Sequence, residues 1–197
     1  MCVNFKRTVN PQIRCDIYPL PIPEEVFATL ADGTVFTTLD LADAYTQLKI
    51  APESAPLLTM NNHRGLYRYT RLIYEIASAA ASFQNTMEQI LVDIPDVICY
   101  IDDALIKGRD LNSCKKTLVA VLERFERHNV RLKIAKCSFF KPSVEYLGNV
   151  ISKEGRSTSP KKTAAILNAK IPQNKKEVRS ILGLINLFSI FFQMRVM

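Results

Sequence analysis

The chain contains no tryptophan, two histidines and six glycines in 197 residues. His63 and His128 are too few for a histidine-rich metal centre. The five cysteines (Cys2, Cys15, Cys99, Cys114, Cys137) are odd in number and form no CxxC pair. That pattern argues against a zinc finger and against a disulfide framework, and it fits a reducing, intracellular compartment. No apolar run approaches the roughly 18 residues that cross a bilayer, and no basic stretch followed by an apolar core opens the chain. Neither a membrane-spanning nor a secreted protein is expected. Internal repeats and low-complexity tracts are also missing.

What is there is globular: 48% apolar and 23% charged residues, enough for one large domain or two small subdomains. The charge is unevenly placed. Residues 1–130 carry 13 Lys/Arg against 16 Asp/Glu, a net of −3, and residues 131–197 carry 13 against 3, a net of +10. A basic back half suits a polyanionic partner, although a solvated lysine-rich surface gives the same count.

Four prolines at 11, 19, 21 and 23 predict an extended stretch over residues 10–24. Glu24 to Leu30 reads as a short helix and Val35 to Leu41 as a strand. Residues 57–72 read as a hairpin turning at 62–65, and Ala77 to Val92 as a helix buried through Phe83, Met87, Ile90 and Leu91. Val97 to Ile106 (VICYIDDALI) reads as strand, turn and strand. Asp110 or Asn112 caps a helix whose buried face is Leu111, Cys114, Leu118, Val121, Leu122 and Phe125. Leu132–Ile134 and Val144–Ile151 read as strands, Pro160 opens a helix, and Glu177 to Phe192 forms a last one. Without regular βαβ alternation, the fold class is α+β: an antiparallel sheet carrying helices on one face.

Three aspartates stand where strands stop: Asp40 near the end of VFTTLDL, and Asp102 and Asp103 at the tip of VICYIDDALI. If the strands are neighbours, the carboxylates cluster and repel one another unless cations lie between them. Hard oxygen donors select Mg²⁺. Two such ions about 3.5–4 Å apart are the device of phosphoryl transfer. An isolated Asp-Asp pair is more often a plain turn, so the neighbouring motifs decide.

Those neighbours resemble the reverse transcriptase domain of gypsy-class LTR retrotransposons, a segment of a Pol polyprotein. Tyr100-Ile101-Asp102-Asp103 looks like the YxDD box, and residues 35–50 (VFTTLDLADAYTQLKI) look like the strand motif of the first metal-binding aspartate. Residues 71–84 (RLIYEIASAAASFQ) are similar to the motif RLPFGxxSAPxxFQ. Residues 132–140 and 144–152 are similar to the two motifs after the catalytic hairpin, and 176–188 to the start of the thumb. The resemblance implies a right-hand polymerase: 1–34 partial fingers and approach to the palm, 35–50 palm, 51–78 fingers, 79–152 palm, and 153–197 the start of a truncated thumb. It implies Asp40, Asp102 and Asp103 as metal-binding carboxylates, with the Leu41 carbonyl facing a metal, for two Mg²⁺ ions or Mn²⁺ in their place. It places Tyr45 under the incoming sugar, where core packing is the plainer alternative, with Tyr74 and Glu75 in the nucleotide pocket. Lys136 matches a lysine near the pyrophosphate, where it would act as general acid. Lys133 is close enough to substitute, and phosphate-backbone contact is the simpler role for both. Leu147-Gly148 would grip the primer. The implied partners are an RNA or DNA template with its primer duplex and a deoxynucleoside triphosphate, with no membrane, in the cytoplasm.

The sequence also departs from the family. Its Pro-Phe-Gly step reads Ile73-Tyr74-Glu75, its later proline is Ala80, and the glycine before the first motif's aromatic is Ala44. Glycine permits close backbone approach; Glu75 adds bulk and negative charge beside a polyphosphate. A triphosphate-gripping arginine and a basic finger hairpin, which lie upstream in the family, are expected to be absent, as are the rest of the thumb and the later Pol segments. Together these changes predict an inactive or degenerate polymerase fragment. A non-catalytic nucleic-acid-binding remnant is the alternative.

Overall fold

The computed structural model describes residues 5–13, 18–160, 164 and 172–186. Strand β1 (Val35–Asp40) is the centre of the architecture. It pairs antiparallel on one side with β5 (Asp103–Gly108) and on the other with β6 (Ser138–Lys141). β5 pairs in turn with β4 (Val97–Tyr100), so the main sheet runs β4-β5-β1-β6. A hairpin of β2 (Thr59–Asn62) and β3 (Gly65–Arg68) stands apart from it. A second sheet holds β7 (Ser143–Tyr146), β8 (Asn149–Ser152) and β9 (Gly155–Thr158).

The main sheet buries both faces because β1 and β5 carry apolar residues on each side of the pleat. Leu39, Ala104 and Ile106 meet α2 (Ala79–Leu91) and α3 (Leu111–Arg127). Phe36 and Leu105 meet Val26 of α1 (Pro23–Thr29) and Leu30 just after it, together with Val144, Tyr146 and Ile151 of the second sheet. The two long helices share one face, as the α+β reading expects, and the other face is closed by α1 and the second sheet. Each fully buried large side chain contributes about 1.5–3 kcal/mol to holding the layers together. A last described helix, α4 (Lys175–Asn186), is capped by Asn174, whose Oδ1 accepts from the Glu177 amide at 3.0 Å.

Asp110 starts α3. Its carboxylate accepts from the Ser113 amide at 2.7 Å, and its own amide donates to the Ser113 hydroxyl at 3.1 Å, a reciprocal cap. Gly108 hands the chain from β5 to this cap. A Cβ there would lie 2.5 Å from Cys114 Cβ and 2.6 Å from the Cys114 amide nitrogen, and backbone cannot step aside as a flexible side chain does. Gly108→Ala is therefore expected to cost about 1–3 kcal/mol. Urea denaturation measures it, and an unchanged midpoint would show that the β5–α3 junction has slack.

Three sequence expectations are corrected. Residues 10–24 are not extended throughout: Asn10–Gln12 is a 3₁₀ turn, with Pro11 inside it. Leu132–Ile134 is not a strand. Leu132 makes a single bridge to Leu41, and Ile134–Lys136 then winds into a 3₁₀ turn. In α3 only Cys114, Leu118, Val121 and Phe125 are buried; Leu111 is 55% exposed and Leu122 38%, because they flank the stripe that meets the sheet. The helix expected from Pro160 onward and the far end of the last helix lie largely outside the described residues.

Candidate active site

The register of the sheet assembles the aspartates. Tyr100 faces Asp103 across β4 and β5, so the turn between them is two residues, Ile101-Asp102. Asp103 is thus the first residue of β5, directly opposite Asp40, the last of β1. The Leu41 amide donates to the Asp102 carbonyl at 2.9 Å, carrying the ladder one step beyond the strands. Carboxylates 62 positions apart in the chain therefore meet at one end of one sheet. Ile101 has φ of 54°, a conformation that β-branched residues avoid. Positive φ at the first turn position alone is the type II′ geometry of a tight hairpin.

Asp40 is held from three sides. Its amide donates to Cys137 Sγ at 3.4 Å, its carbonyl accepts from the Lys133 amide at 2.9 Å, and its Oδ2 meets Lys136 Nζ at 3.2 Å. The 3₁₀ turn thus brings Lys136, and not Lys133, to the carboxylate. Asp40 and Asp103 open onto a polar cleft of about 320 Å³ bounded also by Lys136, Lys141, Ser138 and Tyr146. Leu147 and Gly148, at φ of 47° and 71°, form the two-residue turn of the β7–β8 hairpin that carries Tyr146.

The electrostatics follow from this crowding. The Asp102 carboxyl is pushed above the usual range by burial and then by Asp40, with Lys136 opposing. Asp103 is solvent-exposed at the sheet end, yet the surrounding protein raises its pKa too, with Asp40 and Asp102 adding and Lys136 opposing. Asp102 Oδ1 is buried without a hydrogen-bond partner. Among the described residues no three acidic, cysteine or histidine side chains are gathered into a ready-made ion cage. Carboxylates repel, and Lys136 supplies one nearby positive charge. The donors are hard oxygens, one of them buried and unpartnered, and such a set fits a hard divalent cation.

Tyr45 is 8% exposed. Its ring packs between Tyr74 (centroids 4.4 Å apart) and Phe83 (5.4 Å). Tyr74 is 54% exposed and is the outermost ring of the stack. Its hydroxyl pKa is raised by burial, then by Asp102 and Asp43, which puts the stack beside the carboxylates. Glu75 is exposed and is not among the residues at positive φ. Its position therefore needs no glycine for conformation. Asn10 secures the segment: its Nδ2 donates to the Glu75 carbonyl at 2.9 Å and its Oδ1 accepts from the Ala77 amide at 3.1 Å.

Two neighbours of the hairpin carried no signal as individual residues. Cys137 reads as an ordinary cysteine, yet it accepts from the Asp40 amide. Gln84 sits on the apolar side of α2 and is fully buried.

An antiparallel sheet with aspartates meeting at one end, helices on one face and a hairpin across the cleft defines a polymerase palm-like fold. Comparison makes the assignment particular. The reverse transcriptase (RNA-dependent DNA polymerase) family model matches residues 5–151, and the chain belongs to that family. It is 34% identical over 184 residues, 93% of its length, to the uncharacterised protein K02A2.6 of Caenorhabditis elegans. It is 32% identical over 188 residues, 94% of its length, to the transposon Tf2-3 polyprotein of Schizosaccharomyces pombe. In each case it spans 14% of the relative. Among solved structures, foamy viral protease-reverse transcriptase in complex with double-stranded DNA superimposes with a TM-score of 0.85 at 22% identity, covering 92% of this chain and 32% of that one. The native prototype foamy virus enzyme gives 0.69 at 29% identity, covering 95% and 25%. This is a reverse transcriptase domain of the kind found in retrotransposon polyproteins. Among the described residues no helix is long and apolar enough to cross a membrane.

Proposed function

We propose that the chain is the palm-centred part of a gypsy-class RNA-directed DNA polymerase, and that as it stands it does not polymerise. The observation that carries the first half is the pairing of Asp40 with Asp103, beside an Asp102 whose buried Oδ1 has no partner. On this reading residues 35–50 and 79–152 form the palm, 1–34 and 51–78 belong to the fingers, and 153–197 begin the thumb. Asp40, Asp102 and Asp103, with the Leu41 carbonyl, would hold two Mg²⁺ or Mn²⁺ ions. When bound, such ions offset triphosphate charge and make a primer 3′-hydroxyl a better nucleophile. The overall reaction is attack of that hydroxyl on the α-phosphorus of a deoxynucleoside triphosphate, with pyrophosphate leaving.

The chain's own residues supply positioning. Tyr45 and Tyr74 form a floor for the incoming sugar. The Leu147-Gly148 turn offers backbone to the primer end across the cleft. Lys136 neutralises Asp40 in the resting state, and once released it faces phosphate, as a general acid or as a plain contact. Glu75 and Ile73 carry the second half of the proposal, since they put charge and bulk where the family has glycine and proline. Titration calorimetry with Mg²⁺ and Mn²⁺ tests the site: saturable binding is expected, and no binding of either ion would remove the two-ion reading.

The charge split supports a nucleic-acid-binding role even without catalysis. Binding to an RNA or DNA primer–template duplex is expected to be weak and salt-dependent, with a log–log slope of roughly −3 or steeper, as when several phosphates are neutralised. Charge reversal at Lys161 and Lys162, which lie outside the described residues, should weaken it without regard to base sequence. A flat salt dependence, or no binding at low salt, would remove this role.

A further inference from the structure

We propose that Gln84, backed by Glu88, is the positioning residue of the aspartate hairpin. It holds the Ile101-Asp102 turn in the shape that presents Asp102 to a cation, a role that rests on reading Asp102 as a metal ligand.

Gln84 lies in α2 and is fully buried. Burying a primary amide is unfavourable unless its hydrogen bonds are met, and a leucine or methionine would fill the same space without that demand. The amide is fully used. Its Oε1 accepts from the Ile101 amide at 2.8 Å. Its Nε2 donates to the Cys99 carbonyl at 2.8 Å and to Glu88 Oε1 at 2.7 Å. The partners fix the orientation: an N–H needs the oxygen and a carbonyl needs the nitrogen, so a flipped amide breaks every bond. The side chain thus grips the residues on either side of Tyr100, the second of them next to Asp102.

The need for such a grip is visible in the backbone. Ile101 at φ of 54° is strained, and strain persists where the surroundings over-determine it. The Gln84 oxygen on the Ile101 amide is such a determinant, and the Cys99 thiol donating to the Ile101 carbonyl at 3.6 Å adds to it. Glu88, one helical turn beyond Gln84, accepts from Gln84 and also from the Tyr18 hydroxyl. A continuous polar chain therefore runs from the segment leading into α1, through the middle of α2, to the turn that bears Asp102. A residue serving only to pack α2 against the sheet would not aim both ends of its amide at one hairpin.

The test uses this chain, with Mn²⁺ as the probe. Gln84→Met keeps the volume and removes all three bonds, and Glu88→Gln keeps an acceptor for Gln84. Amide hydrogen exchange is measured at Ile101 and its neighbours against α3, and Mn²⁺ affinity by calorimetry. For Gln84→Met, exchange at Ile101 is expected to rise about tenfold or more, as loss of ordinary hydrogen bonds implies. Protection in α3 should be unchanged and Mn²⁺ affinity about tenfold weaker. Glu88→Gln should stay close to the parent in both readouts. Unchanged Ile101 exchange, unchanged Mn²⁺ affinity despite faster exchange, or an equal loss of protection in α3 would overturn the proposal. If Gln84→Met does not fold, Glu88→Leu replaces it, with the same directions expected and the same outcomes overturning. If the parent chain binds no Mn²⁺, the metal reading fails, and the exchange measurement still decides whether Gln84 holds the turn.

Discussion

Asp102→Asn is expected to abolish divalent-ion binding while leaving the chain folded. The substitution is nearly isosteric and lies in a turn, so no packing is lost. It removes both an oxygen ligand and the charge that draws the ion to it. The same change should raise the melting temperature of the metal-free chain at neutral pH. The sign follows from linkage. Burial and Asp40 raise the native pKa of Asp102, so the native state holds a proton more tightly than the unfolded chain does. The contribution of Asp102 to stability is therefore fully present below the unfolded value, near 3.8, and is lost as pH rises through the raised native value. Asparagine never ionises and escapes that loss. Calorimetry and melting curves across this range check both halves. Unchanged Mg²⁺ affinity would show that the aspartates are not an ion site.

The second large effect concerns the nucleotide pocket. The chain is expected to show no measurable primer extension on an RNA template with Mg²⁺, and Glu75→Gly with Ile73→Pro to restore only part of it. On the family resemblance Glu75 lies in the nucleotide pocket, next in the chain to Tyr74, whose hydroxyl feels Asp102 and Asp43. Like charges facing a triphosphate in a partly dry cleft cost more as the local dielectric falls. Glycine at 75 removes the charge and the bulk. Because Glu75 is not at positive φ, the benefit must come from charge and space, and not from relief of backbone strain. Glu75→Ala should therefore recover nearly as much as Glu75→Gly. Ala80 and Ala44 still depart from the family, which is why recovery stays partial. Primer extension by the unmodified chain at the level of an intact family member, lost on Asp103→Asn, would overturn this.

The elements that the sequence announced are those in which local pattern and tertiary demand agree. The run Val35–Leu41, the stripe Phe83-Met87-Ile90-Leu91 and a cap at Asp110 or Asn112 were each readable locally; in the structure the strand ends at Asp40, the stripe is buried and Asp110 is the cap. Where the two part company, the reading failed. Leu132–Ile134 has strand composition, but the chain turns there to carry Lys136 to Asp40. Leu111 and Leu122 fit the helical period but lie beside the buried stripe and stay exposed. The aspartates were legible as a family motif, and their register was not, because pairing across 62 positions is a property of the sheet. Gln84 was visible only as the last letter of a family motif, and its role was not, because that role lies in what sits opposite it.

That long-range pairing also ties the site to folding itself. Asp40 joins Asp102 and Asp103 only after β1 has paired with β5, so an ion that needs all three recognises the folded chain and ignores the unfolded one. By mass action, an ion at a hundred times its dissociation constant would then stabilise the native state by about 2.7 kcal/mol. Where carboxylates crowd one end of a paired sheet, an ion bound there would act as a structural staple before it took part in any reaction.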